Sequence, residues 1–281
     1  MVWVTSANLN TARNFLAGGG NSSDAICMGG ATGTSPSSNS GVTEKFNGSS
    51  WSTTGNLNTS RRALAGGGNS SDAICMGGYT TTYSAVTEKF NGNTWSTTGN
   101  LNTSRRALAG SGNSSNAICM GGYNGSVESL TEKFNGSSWS TTGNLNTSRR
   151  SLAGGGNSSD AICMGGDIIK SSSGVSEKFN GSSWSTTDSL NTARYGLAGG
   201  GNSSDAICMG GAIGSSNSGV TEKFNGSSWS TTDGLNTARP YLTGGGNSSD
   251  AICMGGGYTT YSAVTELWSD IARYFSFVNT M

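Results

Sequence analysis

Six cysteines, Cys27, Cys75, Cys119, Cys163, Cys208 and Cys253, each stand in the tetrapeptide Ala-Ile-Cys-Met, whose copies follow one another at offsets of 48, 44, 44, 45 and 45 residues. An even count invites a disulfide reading. Equivalent positions on neighbouring packed sheets, however, lie about 10 Å apart, and a disulfide needs Cα atoms within about 7 Å. The same separation opposes a shared metal ion, whose thiolate ligands stand about 2.3 Å away. The pattern predicts six buried free thiols serving as small core residues.

Two further groups keep the same period. Glu44, Glu88, Glu132, Glu177, Glu222 and Glu266 form one set, and Arg13, Arg61, Arg105, Arg149, Arg194 and Arg239 the other. A ring of ligand-binding charges is one reading. The other is a structural clamp in which each guanidinium ties its loop to a glutamate or to backbone carbonyls. The clamp is the expectation, because a catalytic site breaks symmetry and these residues obey it. The chain has no histidine, so Ser-His-Asp and Cys-His arrangements and histidine-ligated metals are excluded. A carboxylate pair could still act as acid and base, yet Glu128, Asp167, Asp188 and Asp233 are scattered. The glycine-rich Gly-Gly-Gly-Asn-Ser-Ser-Asp lacks the Lys-Ser/Thr of a phosphate loop, and the Asn-x-Ser triplets read as tight-turn chemistry. No enzyme and no cofactor are expected.

The elements that position these residues follow from the repeat. A period between about 20 and 50 residues marks a solenoid or propeller. The 281 residues include 46 Gly, 2 Pro and only 11% charged residues, a composition suited to turn-rich all-β structure. In the second copy, residues 62–68, 73–78, 85–92 and 93–101 read as four short strands separated by turn residues. The continuous apolar run Ala-Ile-Cys-Met calls for a strand covered on both faces. The strand ending in three glycines has the small volume an innermost strand needs. Trp3 precedes Leu9 by six residues, as Trp51 precedes Leu57, so the first residues should supply the outer strand of the last blade. That closure would hide the sheet edges. The expected fold is an all-β, six-bladed β-propeller of four-stranded antiparallel blades over residues 1–268, with a short extension at 269–281.

The double glycine after four apolar residues, as in Gly29-Gly30 and Gly77-Gly78, followed by Glu-Lys-Phe-Asn-Gly and then Trp, resembles the kelch repeat. The resemblance covers nearly the whole propeller segment. The wording is also similar to kelch-like repeat proteins of phages and marine microbes, which implies a virion or cell-exterior setting. Copper oxidase chemistry known among kelch-like propellers is not implied, since it relies on histidine ligands.

Lys plus Arg equals Asp plus Glu at 16 each, so no net field draws the chain to nucleic acid or an anionic membrane. The opening MVWVTSANLN has neither a basic region nor a long apolar run, and no stretch approaches the roughly 20 apolar residues of a membrane span. A soluble chain without an export signal is the expectation. Variation between copies concentrates in the connections between the second and third strands, residues 31–41, 79–85, 123–130, 167–174, 212–219 and 257–263. These share a ring face with the links between blades. Tyr79, Tyr83, Tyr123, Tyr195, Tyr258, Tyr261, Arg62, Arg106 and Arg150 therefore make up the expected binding face, since exposed Tyr and Arg favour contacts. The leading function is a non-enzymatic structural or adhesion module binding a protein or a glycan. A multivalent lectin using the clefts between blades is the alternative, and a carbohydrate-active enzyme the third. In the terminal segment Ile271, Tyr274, Phe275 and Val278 keep helical spacing and Phe277 adds apolar area. Docking on a neighbouring subunit, giving self-association, or back on the chain's own ring is expected.

Overall fold

The structure is a computed structural model that describes residues 1–169 and 171–269. The segment carrying Ile271, Tyr274, Phe275, Phe277 and Val278 lies outside the described residues. Six four-stranded antiparallel sheets form a ring. Blade II shows the unit: inner strand Ala65–Gly68, second strand Ala73–Met76, third strand Thr87–Phe90 and outer strand Trp95–Thr97. Blades I, III, IV and V repeat this order, their second strands being Ala25–Met28, Ala117–Met120, Ala161–Met164 and Ala206–Met209. In blade VI the inner strand Thr243–Gly246, the second strand Ala251–Met254 and the third strand Thr265–Ser269 are joined by Val2–Thr5 as the outer strand. Its register pairs Val2 with Ser269, Trp3 with Trp268, Val4 with Leu267 and Thr5 with Glu266. The amino terminus thus closes the ring, as the Trp3 to Leu9 spacing predicts.

The core lies between blades. Every residue of the six Ala-Ile-Cys-Met strands is buried with no exposure. Alternation assigns them to two interfaces. Ile74 and Met76 pack with Ala117, Cys119, Phe134 and Trp139 of blade III, whereas Ala73 and Cys75 pack with Ile26 and Met28 of blade I. Large residues on one face meet small residues plus an aromatic pair on the next. This volume matching explains why the motif alternates small and large, and why the thiols are core. All six cysteines are free.

Inner strands of successive blades touch all the way round, including Thr243–Gly246 against Ala17–Gly20. A Cβ on Gly67 would lie 2.6 Å from the carbonyl oxygen of Gly112, so the backbones approach as closely as glycine permits. The indoles staple neighbouring blades. Trp95 Nε1 donates to Thr43 Oγ1 at 2.9 Å, Trp139 to Thr87 at 3.0 Å, Trp184 to Thr131 at 3.0 Å, Trp3 to Thr221 at 3.0 Å and Trp51 to Thr265 at 3.1 Å. At the interface of blades IV and V, Ser176 replaces the threonine, and both Trp229 Nε1 and Ser176 Oγ lack partners.

The repeated charges form clamps. Arg13 Nη2 donates to Glu44 Oε1 at 2.8 Å and to Cys27 Sγ at 3.0 Å, while its Nη1 donates to the carbonyls of Gly29 and Val42 at 2.8 and 2.6 Å. Glu44 Oε2 accepts the Asn10 backbone N–H at 2.6 Å. Equivalent ion pairs recur in the other five blades, with side chains at most 3% exposed. Each clamp fixes the link entering a blade to the third strand of that blade. The charges are engaged internally, which agrees with the structural reading of both sets.

Candidate functional site

The two faces of the ring differ in what they leave free. On one face, each Asn-Ser-Ser-Asp turn is closed by its own asparagine, as where Asn69 Oδ1 accepts the N–H groups of Ser71 and Asp72 at 3.0 Å. The turns also interlock around the ring. Asp24 Oδ1 accepts the Ser70 N–H at 3.0 Å, Asp72 that of Ser114 at 3.1 Å, Asn116 that of Ser158 at 2.9 Å, and Asp250 closes the circle on Ser22 at 3.1 Å. Polar capacity there is largely spent on the fold.

The opposite face is built by the connections of variable sequence. They stand beside the links between blades because short antiparallel bridges hold them there, Arg62 against Tyr79, Arg106 against Tyr123, Arg150 against Asp167 and Tyr195 against Ala212. At its centre a belt of backbone hydrogen bonds encircles the axis. Ala63 N–H donates to Phe15 C=O, Ala107 to Ala63, Ser151 to Ala107 and Gly196 to Ser151, each at 2.8 Å; Tyr241 donates to Gly196 at 2.7 Å and Phe15 to Tyr241 at 3.0 Å. All six residues have φ between 50° and 61°. For an L-residue this left-handed conformation costs about 1–2 kcal/mol. It turns each N–H and C=O along the belt, where the next blade satisfies them. Two bulky residues accept this conformation, Phe15 and Tyr241, and their rings meet at a centroid distance of 4.1 Å.

Around the belt runs an arc of arginines and tyrosines. The Arg106 guanidinium carbon lies 5.0 Å from the ring centroid of Tyr79, 5.7 Å from Tyr83 and 5.6 Å from Tyr123. Arg62 stands 5.5 Å from Tyr79, and Arg150 5.1 Å from Tyr123. Arg150 also pairs with Asp167 at 2.8 Å. On the other side of the axis Tyr195 and Tyr258 flank Tyr241 at 6.2 and 5.8 Å. Burial pushes the Tyr241 phenol well above its ordinary value, with Tyr195 and Tyr258 adding to the shift. Between these groups opens a cleft of about 270 Å³, lined among others by Asn14, Phe15, Arg62, Arg106, Tyr258 and Tyr261.

The nine residues singled out in the sequence thus share this face, but in two groups. Arg62, Tyr79, Tyr83, Arg106, Tyr123 and Arg150 form one continuous arc, while Tyr195 and Tyr258 join the second cluster around Tyr241 and Tyr261 lines the cleft. Of these nine only Tyr258 is exposed, at 64%. The other tyrosines are half-buried, Tyr79, Tyr83 and Tyr123 against arginines and one another and Tyr195 against Tyr241. Three large apolar residues are exposed on these connections, Tyr258, Ile169 at 74% and Ile213 at 45%, and Ile169 has φ of 41°. Sequence reasoning missed Phe15 and Tyr241. The signal was present: the position two residues after the clamp arginine reads Phe, Ala, Ala, Ser, Gly, Tyr in an otherwise repeated context.

No family model matches the chain, and no curated protein matches it. Among solved structures it is similar to that of YjhT, with a TM-score of 0.73 at 12% sequence identity, covering 92% of this chain and 95% of that one. At that identity the likeness bears on the fold alone, and with the sheet topology it establishes a six-bladed β-propeller.

Proposed function

We propose that the chain is a kelch-type repeat protein whose propeller is a non-enzymatic binding scaffold, a structural or adhesion module of a virion or surface appendage. It presents the variable connections to a protein or glycan partner. One observation carries this reading: the copies differ on the face where Ile169, Ile213 and Tyr258 are exposed, while the opposite face repeats the same self-satisfied turns. A rigid frame with variation confined to one rim is how loops on a scaffold recognise partners, and tyrosine with arginine is the composition of contact hot spots.

Arrays of glycans and of peptides test it with three proteins. These are the unaltered chain, a loop-face variant (Tyr79→Ser, Tyr123→Ser, Tyr258→Ser) and an opposite-face variant (Ser49→Glu, Ser137→Glu, Ser182→Glu). The expected result is a ligand held by the first and third and released by the second, without turnover. Binding that survives the loop-face changes, or no binding by the unaltered chain, would overturn the proposal.

A further inference from the structure

The seam where blade VI meets blade I differs from the other seams of the ring. In blade I the wall facing the next blade carries Lys45 with Ser52 as its cross-strand partner, and Lys45 Nζ donates to the Gly92 carbonyl of blade II at 3.0 Å. Lys89, Lys133 and Lys178 likewise reach the carbonyls of Gly136, Gly181 and Gly226 at 3.0, 2.8 and 3.1 Å. Blade VI has Leu267 at the lysine position, and Val4 opposite it in place of the serine. Alternation along the outer strand puts Val2 on the same face as Val4, because Trp3 between them points the other way, into the core shared with blade V. Leu267 packs against the core between blades VI and I, and Leu267, Val4 and Val2 are each half-buried. Leucine has no donor, so the Gly48 carbonyl of blade I receives no lysine here. The outer wall is thus apolar at the one seam where the chain closes, and polar at the others.

An apolar stretch of the chain begins beside this patch. Ser269 pairs with Val2, and residues 270–281 include Ile271, Tyr274, Phe275, Phe277, Val278 and Met281. In the other five blades the third strand is followed by Asn-Gly, whose glycine has φ of 93–96° and turns the chain back into the outer strand. After Trp268 the sequence reads Ser-Asp-Ile without that turn, and Val2–Thr5 already holds the outer position. The stretch therefore has neither a turn to bring it back nor a strand position left in its own blade. We infer that the seam patch of Val2, Val4 and Leu267 receives residues 270–281 of a second copy of this chain, and that two copies exchange these stretches reciprocally. Because each stretch starts beside a patch, a twofold axis between two seams serves both exchanges at once and closes the assembly as a dimer. Burial of apolar side chains on both partners drives it. The contact lies on the outer wall, so the inference does not depend on what the loop face binds and leaves that face open.

Sedimentation velocity on the full chain tests the inference with two variants. Val4→Ser/Leu267→Lys gives blade VI the residues that the other five blades carry at these positions, and Phe275→Ser/Val278→Ser alters the exchanged stretch alone. The unaltered chain should be a dimer. Each variant by itself should raise the dimer Kd by about tenfold or more, since burying one such side chain is worth about a factor of ten. An equimolar mixture of the two variants should associate more tightly than either one, because a mixed pair keeps one intact stretch on one intact patch. Docking of the stretch on its own ring predicts no such rescue. Thermal unfolding establishes that each variant is folded, and Val4→Ser alone serves as the seam variant if the lysine prevents folding. A monomeric unaltered chain, a dimer that neither variant weakens, or a mixture no tighter than its components would overturn the inference.

Discussion

Replacing Ser176 with threonine should stabilise the ring. At five interfaces a tryptophan indole donates to a threonine hydroxyl of the preceding blade at 2.9–3.1 Å. At the sixth, Trp229 Nε1 and Ser176 Oγ are both buried and unpaired. The backbone is equivalent there, since Ser176 pairs with Met164 as Thr131 pairs with Met120. The difference is rotameric: a β-branched threonine has a restricted χ1, which sets its hydroxyl toward the indole, whereas serine is free to turn away. Making the bond should contribute about 0.5–1.5 kcal/mol net, and burying the added methyl about 0.8 kcal/mol. A gain of roughly 1–2 kcal/mol is expected after some loss to imperfect fit. In a chain of this size that raises Tm by about 2–8 °C. Scanning calorimetry of Ser176→Thr beside the reverse change Thr131→Ser reads both signs. An unchanged or lowered Tm for Ser176→Thr, with Thr131→Ser also neutral, would refute the view that these bonds hold blades together.

The clamps give a second expectation. Arg149→Met removes the donor to Glu177 at 2.7 Å and to the Gly165 carbonyl at 2.9 Å, and should cost about 3–5 kcal/mol, as for other broken buried pairs. The double variant Arg149→Met/Glu177→Gln should lie closer to the unaltered chain in denaturant melts. Burial pushes Cys27 from 9.0 to about 11, and Cys119 and Cys253 to about 12, against the lowering effect of the neighbouring arginines. Below pH 9 the thiols are protonated in both states. Above it the unfolded chain releases protons that the fold retains, so stability should fall by about 1.4 kcal/mol per pH unit per thiol until the folded values are reached. Urea midpoints from pH 8 to 11 check this, and a flat profile would contradict the burial. Deleting residues 2–9 removes the outer strand of blade VI and the Trp3 bond to Thr221; losing the indole alone costs about 3–5 kcal/mol, and calorimetry should show the whole ring melting earlier. Self-association through residues 269–281 is a proposal that truncation after Trp268 tests by sedimentation: a monomer of intact stability is expected, and an unchanged association state would reject it.

The repeat made the architecture legible. Near-identical units must bury near-identical faces, so the count of Ala-Ile-Cys-Met copies gave the number of blades, and the lone Trp3 revealed which strand closes the ring. The buried thiols and the arginine clamps were legible for the same reason, since a sixfold arrangement separates equivalent residues too far to combine with one another; each guanidinium then meets the glutamate and thiol of its own blade. What escaped was whatever depends on how blades meet. The Ser176 substitution is visible in the chain, but its consequence lies 53 residues on at Trp229, across an interface. The belt residues Phe15 and Tyr241 stand out from their copies in sequence, but their role does not, because only closure around the axis rewards a left-handed backbone at six consecutive blades. Likewise the cleft is assembled from Asn14, Arg106 and Tyr258, one each from blades I, III and VI. Periodicity determined the fold because every interface between neighbouring blades is the same burial repeated. The site required the tertiary structure, since it is formed where the repeats differ and where the ring brings distant copies to one mouth.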